Sequence, residues 1–102
     1  MTEPVQITEI AAKEIDKLLK KKGVPPDYGL RMSVAGGRGC AQVNYALGFD
    51  KKNEDDRTYH IQGLKVFIRK AELMYLVGKR VDYYSGSDSQ GFFFSDIETV
   101  TS

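Results

Sequence analysis

Beyond Cys40 the 102-residue sequence has no cysteine, so one chain can close no disulfide and can build no zinc site from two or more of its own cysteines. Histidine is as scarce: His60 stands alone, the one imidazole available to a thiol as a base. Charge of one sign is missing too. Fifteen Lys and Arg against fourteen Asp and Glu leave a formal charge of +1, too little to steer the chain onto nucleic acid or anionic lipid. No run reaches the about eighteen apolar residues that mark a membrane span. Met1-Thr2-Glu3-Pro4 is acidic where a secretion signal is basic and then apolar. These absences lead to the expectation of a cytoplasmic protein with no membrane and no nucleic-acid partner. With 41% hydrophobic and 28% charged residues, the length fits one ordered domain, residues 1–102, around one modest core.

What is present divides by period. Residues 8–22, TEIAAKEIDKLLKKK, predict one long helix. Thr8 is its N-cap, Glu9 suits the positive end of the dipole, and Ile7, Ala11, Ile15 and Leu18/Leu19 form its apolar stripe. Lys20, Lys21 and Lys22 suit the negative end and Gly23 stops it; that run reads as a solvated helix end rather than an RNA-binding patch. VPPDYG (24–29) is a turn. Leu30, Met32 and Val34, then Val43, Tyr45, Leu47 and Phe49, alternate with small or polar residues at the two-residue period of half-buried strands. DKKNEDDR (50–57) reads as a polar connection, TYHI (58–61), LKVFIR (64–69), KRVDYY (79–84) and GFFFS (91–95) as further strands, and KAELMYLVG (70–78) as a short helical turn. The fold class is therefore mainly β, with a helix in front and a short helix inserted.

Between the first two alternating runs lies AGGRGC, residues 35–40. Gly36, Gly37 and Gly39 are free to take positive φ, as glycine is, and would let backbone approach a bound group closely. Three chemistries suit such a loop. Its N–H groups could form an anion nest, although the spacing matches neither common phosphate-loop pattern. Cys40 could be a nucleophile with Arg38 lowering its pKa and His60 as base. Cys40 could be a metal or cluster ligand. Against all three stands a cysteine that packs as a small hydrophobe.

ITEIAAKEIDKLL, YGLRMSVAGGRGCAQVNYALGFD, GLKVFIRKAELMYLVGKRVDY and GFFFS, in this order, resemble the A-type iron–sulfur carrier family, also called the HesB/IscA family, from about Ile7 to about Phe94. The resemblance implies a compact mixed β-sandwich or pseudo-barrel that associates as a dimer or tetramer. It also implies that the protein binds iron or a [2Fe–2S] cluster, assists assembly and recipient proteins, and is a carrier rather than an enzyme. Family ligands are a cysteine after the glycine loop and a Cys-Gly-Cys near the C-terminus. Cys40 matches the first, with Gly36, Gly37 and Gly39 as its cradle. Arg38 interrupts the glycines, and Ala41 and Gln42 replace the usual serine and glycine. Where the Cys-Gly-Cys is expected, the sequence reads SDIETVTS.

Ligand counting follows. An iron–sulfur cluster takes four ligands, usually thiolates, and two copies of this chain offer two. Another subunit, a small thiol such as glutathione, or a partner must supply the rest; Asp88 and Asp96 are hard oxygen donors better suited to a turn and a strand end. The expected cargo is thus labile iron or [2Fe–2S], held through Cys40 and shared. The rival is a metal-free protein-interaction module. Phe92, Phe93 and Phe94 run without alternation, so at least one ring must leave a one-sided core. They are expected either in an edge strand under the N-terminal helix or in a surface for self-association or a partner.

Overall fold

A computed structural model describes residues 3–35 and 44–97. In chain order the elements are β1 (Val5–Ile7), α1 (Glu9–Lys21), β2 (Tyr28–Ala35), β3 (Asn44–Lys51), β4 (Asp56–Ile61), β5 (Leu64–Arg69), a 3₁₀ turn (Lys70–Glu72) running into α2 (Leu73–Leu76), β6 (Lys79–Ser85) and β7 (Gln90–Asp96). They form a three-stranded sheet, β1-β6-β7, and a four-stranded sheet, β3-β2-β5-β4. The mainly β expectation holds, with both helices where the sequence placed them.

Thr8 caps α1 as expected: its Oγ1 accepts the Ala11 N–H at 3.2 Å and donates to Asp82 on β6 at 2.9 Å. Ile7 is a correction. It ends β1, a three-residue strand parallel to β6, and is buried there rather than on the helix stripe. So short a strand shows no period of its own; β6 defines it, through Val5 opposite Lys79 and Ile7 opposite Val81. The stretch 50–57 also divides differently. Asp50 and Lys51 complete β3, while Asp56 and Arg57 begin β4.

Between the sheets and α1 lies a core of Val5, Ile7, Ala11, Ile15, Leu30, Met32, Val66, Ile68, Leu76 and Val81, each nearly or fully buried. Each large aliphatic side chain taken from water contributes about 1.5–3 kcal/mol. On the opposite face of the larger sheet Phe67 is buried against Gly29, where an added Cβ would come within 2.9 Å of the Lys65 carbonyl oxygen and 2.8 Å of the Phe67 ring. Phe92 and Phe94 pack against the core, and Phe93, between them, faces out with 43% of its surface exposed. The ring expected to leave the core is therefore the middle one.

Candidate functional site

Among the described residues the antiparallel β2–β3 ladder runs as far as Ala35 opposite Asn44. Gly36, Gly37, Gly39 and Cys40, together with Arg38 and Val43, lie outside the described residues. The site is therefore built from the framework at which residues 36–43 depart and return.

On the departing side, β5 pairs with β2 in parallel through Met32 opposite Ile68, then turns into the 3₁₀ segment. Two residues further along β2, the Val34 N–H donates to the Glu72 carboxylate at 3.0 Å. A side-chain oxygen thus takes over where the neighbouring strand stops, and keeps a part-buried N–H paired. Glu72 also faces Arg69 at 3.6 Å.

On the returning side, Tyr45 joins the two sheets. Its ring stacks on Phe94 of β7 at 5.1 Å and 26°, and its hydroxyl donates to the Tyr75 carbonyl at 3.3 Å. The Lys79 ammonium stands 5.5 Å from the Tyr45 ring centroid and pairs with Asp96, the last residue of β7. That carboxylate holds the lysine above its ordinary pKa, so it stays a cation. Immediately after Asp96, the Ile97 N–H donates to the Gly78 carbonyl at 2.7 Å. The start of β3 and the end of β7, far apart in sequence, therefore share one corner. Beside it α2 presents Met74 and Tyr75, and Val77 follows it, all exposed.

The other candidates lie elsewhere. His60, on the edge strand β4 across the sheet from β3, lies opposite Lys65 of β5 at the end of the sheet where β2 begins. Asp88 is exposed in the β6–β7 turn, the length of β7 away from Asp96. Asp88 in its turn and Asp96 at its strand end sit as the sequence implied, and His60 is an ordinary strand residue. Among the described residues no three His, Cys, Asp or Glu side chains come together as a metal site.

A model of the family described as iron-sulphur cluster biosynthesis matches residues 4–97. The chain belongs to this family. The chain is similar to the iron-sulfur cluster insertion protein ErpA of Shewanella sp. (strain W3-18-1), 38% identical over 99 residues, covering 96% of this chain and 84% of that protein. ErpA of Shewanella oneidensis is 38% identical over 101 residues, covering 98% and 85%. Among solved structures, Escherichia coli SufA, involved in biosynthesis of iron-sulfur clusters, superposes with a TM-score of 0.74 at 28% identity, over 90% of this chain and 79% of its own. IscA with its [2Fe-2S] cluster gives 0.69 at 25%, over 90% and 81%. The HesB-like fold and the resemblance are thereby established, and the family to which the chain belongs is one described by iron–sulphur cluster biosynthesis.

Sequence reading missed the residues that frame the corner. Tyr45 was assigned to a strand, but nothing in its alternation distinguishes a tyrosine that bridges two sheets from one that fills a core. Lys79 and Glu72 belong to motifs quoted for the resemblance, yet only the topology brings them to the two ends of one loop.

Proposed function

We propose that this family member is an accessory or carrier in iron–sulfur cluster assembly, whose cargo is iron or a [2Fe–2S] cluster held transiently by the Cys40 thiolate. Gly36, Gly37 and Gly39 let backbone N–H groups approach the sulfur or cluster. One observation carries this reading. The ladder end at Ala35–Asn44 and the end of β7 meet at the Tyr45–Phe94–Lys79–Asp96 corner, and these are the two segments from which the family resemblance draws its cysteines. Cys40 is tethered four residues from Asn44, a reach of at most about 14 Å.

Among these 102 residues, Cys40 is the cysteine that matches a family position, and it fills one of the four positions of a cluster. Sharing with a second copy, with a small thiol, or with an assembly or recipient protein completes the set. The same deficit makes the cargo labile, which suits transfer. The role is delivery, with no bond made or broken in a substrate.

Anaerobic reconstitution with iron, sulfide and glutathione tests the reading. Wild type is expected to develop visible charge-transfer absorption that Cys40→Ser loses almost completely. A colourless product from both proteins would overturn it and leave the metal-free interaction module, with Cys40 as a packing residue.

A further inference from the structure

The outward positions of a short helical turn are ordinarily polar, and those of α2 are not. Six large hydrophobic side chains are exposed among the described residues, and three of them fall within four positions: Met74 at 75%, Tyr75 at 48% and Val77 at 58%. Apolar side chains scattered singly over a surface are normal, whereas a contiguous cluster marks a contact. The backbone beneath this cluster is fixed. Leu73 packs against the core and Leu76 is fully buried. The Val77 N–H donates to the Leu73 carbonyl at 3.0 Å and the Gly78 N–H to the Pro4 carbonyl at 2.9 Å, while Gly78, at a φ of +85°, turns the chain into β6. A cluster held in this way is presented ready-made, so a partner seated on it has little chain to order.

The cluster also stands at the stems of the loop that carries Cys40. The Tyr45 hydroxyl holds the Tyr75 carbonyl on the returning side, and Glu72, just before α2, holds the Val34 N–H on the departing side. Its surroundings are positive. RKAELMYLVGKR, residues 69–80, carries Arg69, Lys70, Lys79 and Arg80 against Glu72 alone. Arg69 is matched by Asp55 and Glu72, and Lys79 by Asp96. Among the described residues Lys70 and Arg80 complete no ion pair; the Arg80 guanidinium reaches the Asp96 carbonyl, at a long 3.5 Å. An apolar centre with cations at both ends of its segment complements an apolar anchor flanked by carboxylates.

We infer that Met74, Tyr75 and Val77 form the docking face for the protein that takes the cargo from Cys40, and that this protein meets them with an apolar side chain set among carboxylates. A second copy of the chain is the poorer occupant, since a two-fold contact would set Lys70 and Arg80 against their own kind. The inference rests on the carrier reading above and gives its delivery step a place. Cys40 is four residues from Asn44, so a partner on α2, one hydrogen bond from Tyr45, stands beside the tether of that thiol. Delivery there is a ligand exchange. An iron–thiolate bond to the partner replaces the one to Cys40, the oxidation state is unchanged, and the proton leaving the partner's thiol goes to the Cys40 sulfur.

The test uses one probe, a small acidic [2Fe–2S] protein stripped of its cluster, such as a plant-type apo-ferredoxin. Titrated into the metal-free wild type, it should shift the Met74 methyl and Tyr75 ring resonances, and the shifts should shrink as salt is raised. Met74→Glu sets a carboxylate among those of the probe and should weaken binding about tenfold at an unchanged unfolding midpoint. Lys70→Glu combined with Arg80→Glu should weaken it too, whereas Ile10→Glu, at another exposed apolar position, should not. With loaded protein, transfer to the same probe should slow about tenfold in Met74→Glu while its Cys40-dependent colour stays that of wild type. A Met74→Glu that binds and transfers like wild type overturns the inference and leaves the carrier reading intact. So does one that changes the sedimentation of the protein alone, which gives the face to a second copy. Colour absent from wild type removes the carrier reading itself, whereas shifts absent from the titration remove only the docking face.

Discussion

Asp56 is the one buried charged residue among the described residues, and Arg31 makes that tolerable. The guanidinium grips both carboxylate oxygens, Nη1 to Oδ1 at 2.9 Å and Nη2 to Oδ2 at 2.6 Å. It also reaches Asp50 Oδ2 at 3.1 Å and the Lys51 carbonyl at 2.9 Å. The Asn53 N–H adds a further bond to Asp56 at 2.7 Å, so one carboxylate closes the β3–β4 turn and anchors it to β2. Asp56→Ala leaves Arg31 with Asp50 and the Lys51 carbonyl alone and the Asn53 N–H without its acceptor, so it should cost about 1–3 kcal/mol in urea unfolding. The hydrogen bonds from Arg31 hold the Asp56 carboxyl below its ordinary 3.8. Since the folded value is the lower one, its contribution is fully present above pH 3.8 and is lost as pH falls through the folded value. Stability of wild type should therefore decline on acidification more steeply than that of Asp56→Asn; parallel declines would show that the pair contributes nothing at that position. None of this was legible in DKKNEDDR, where Asp55 and Asp56 look alike until the register selects one of them.

At the level of elements, most of the fold could be read from period and punctuation. The helix came within a residue of α1 at each end because Thr8 and the terminal lysines act locally. The long strands came through because alternation survives wherever one face is buried. β1 did not, and the inserted helix proved to be one 3₁₀ turn followed by a four-residue α segment. Its contribution lies less in helix than in Glu72, which serves the Val34 N–H just before the ladder ends. Leaving that N–H without an acceptor should cost about 1–3 kcal/mol. Glu72→Ala is expected to lose that much and to raise amide exchange at Val34 selectively. Glu72→Gln keeps a side-chain oxygen in reach and should retain most of the protection. Equal exchange in the two variants would mean that the bond does not fix the edge of β2.

Across the whole molecule, the two sheets are joined near the site by Tyr45, whose ring stacks on Phe94 and lies against the Lys79 ammonium, and by the core elsewhere. Composition identified the thiol and resemblance supplied its chemistry, but the corner depends on contacts between residues far apart in sequence, which local periodicity does not encode. If that corner aligns the loop's framework with the end of β7, damage there should harm cargo binding beyond its effect on stability. Phe94→Ala removes a half-buried ring and its stacking, costing about 2–3 kcal/mol. Ile61→Ala, a buried residue on β4 at the far edge of the larger sheet, serves as a stability-matched control of similar cost. Reconstituted well below both unfolding midpoints, Phe94→Ala should give several-fold less Cys40-dependent absorption than Ile61→Ala. Equal yields would show that the sheets need only be folded, and that the Tyr45–Phe94 contact contributes packing without positioning.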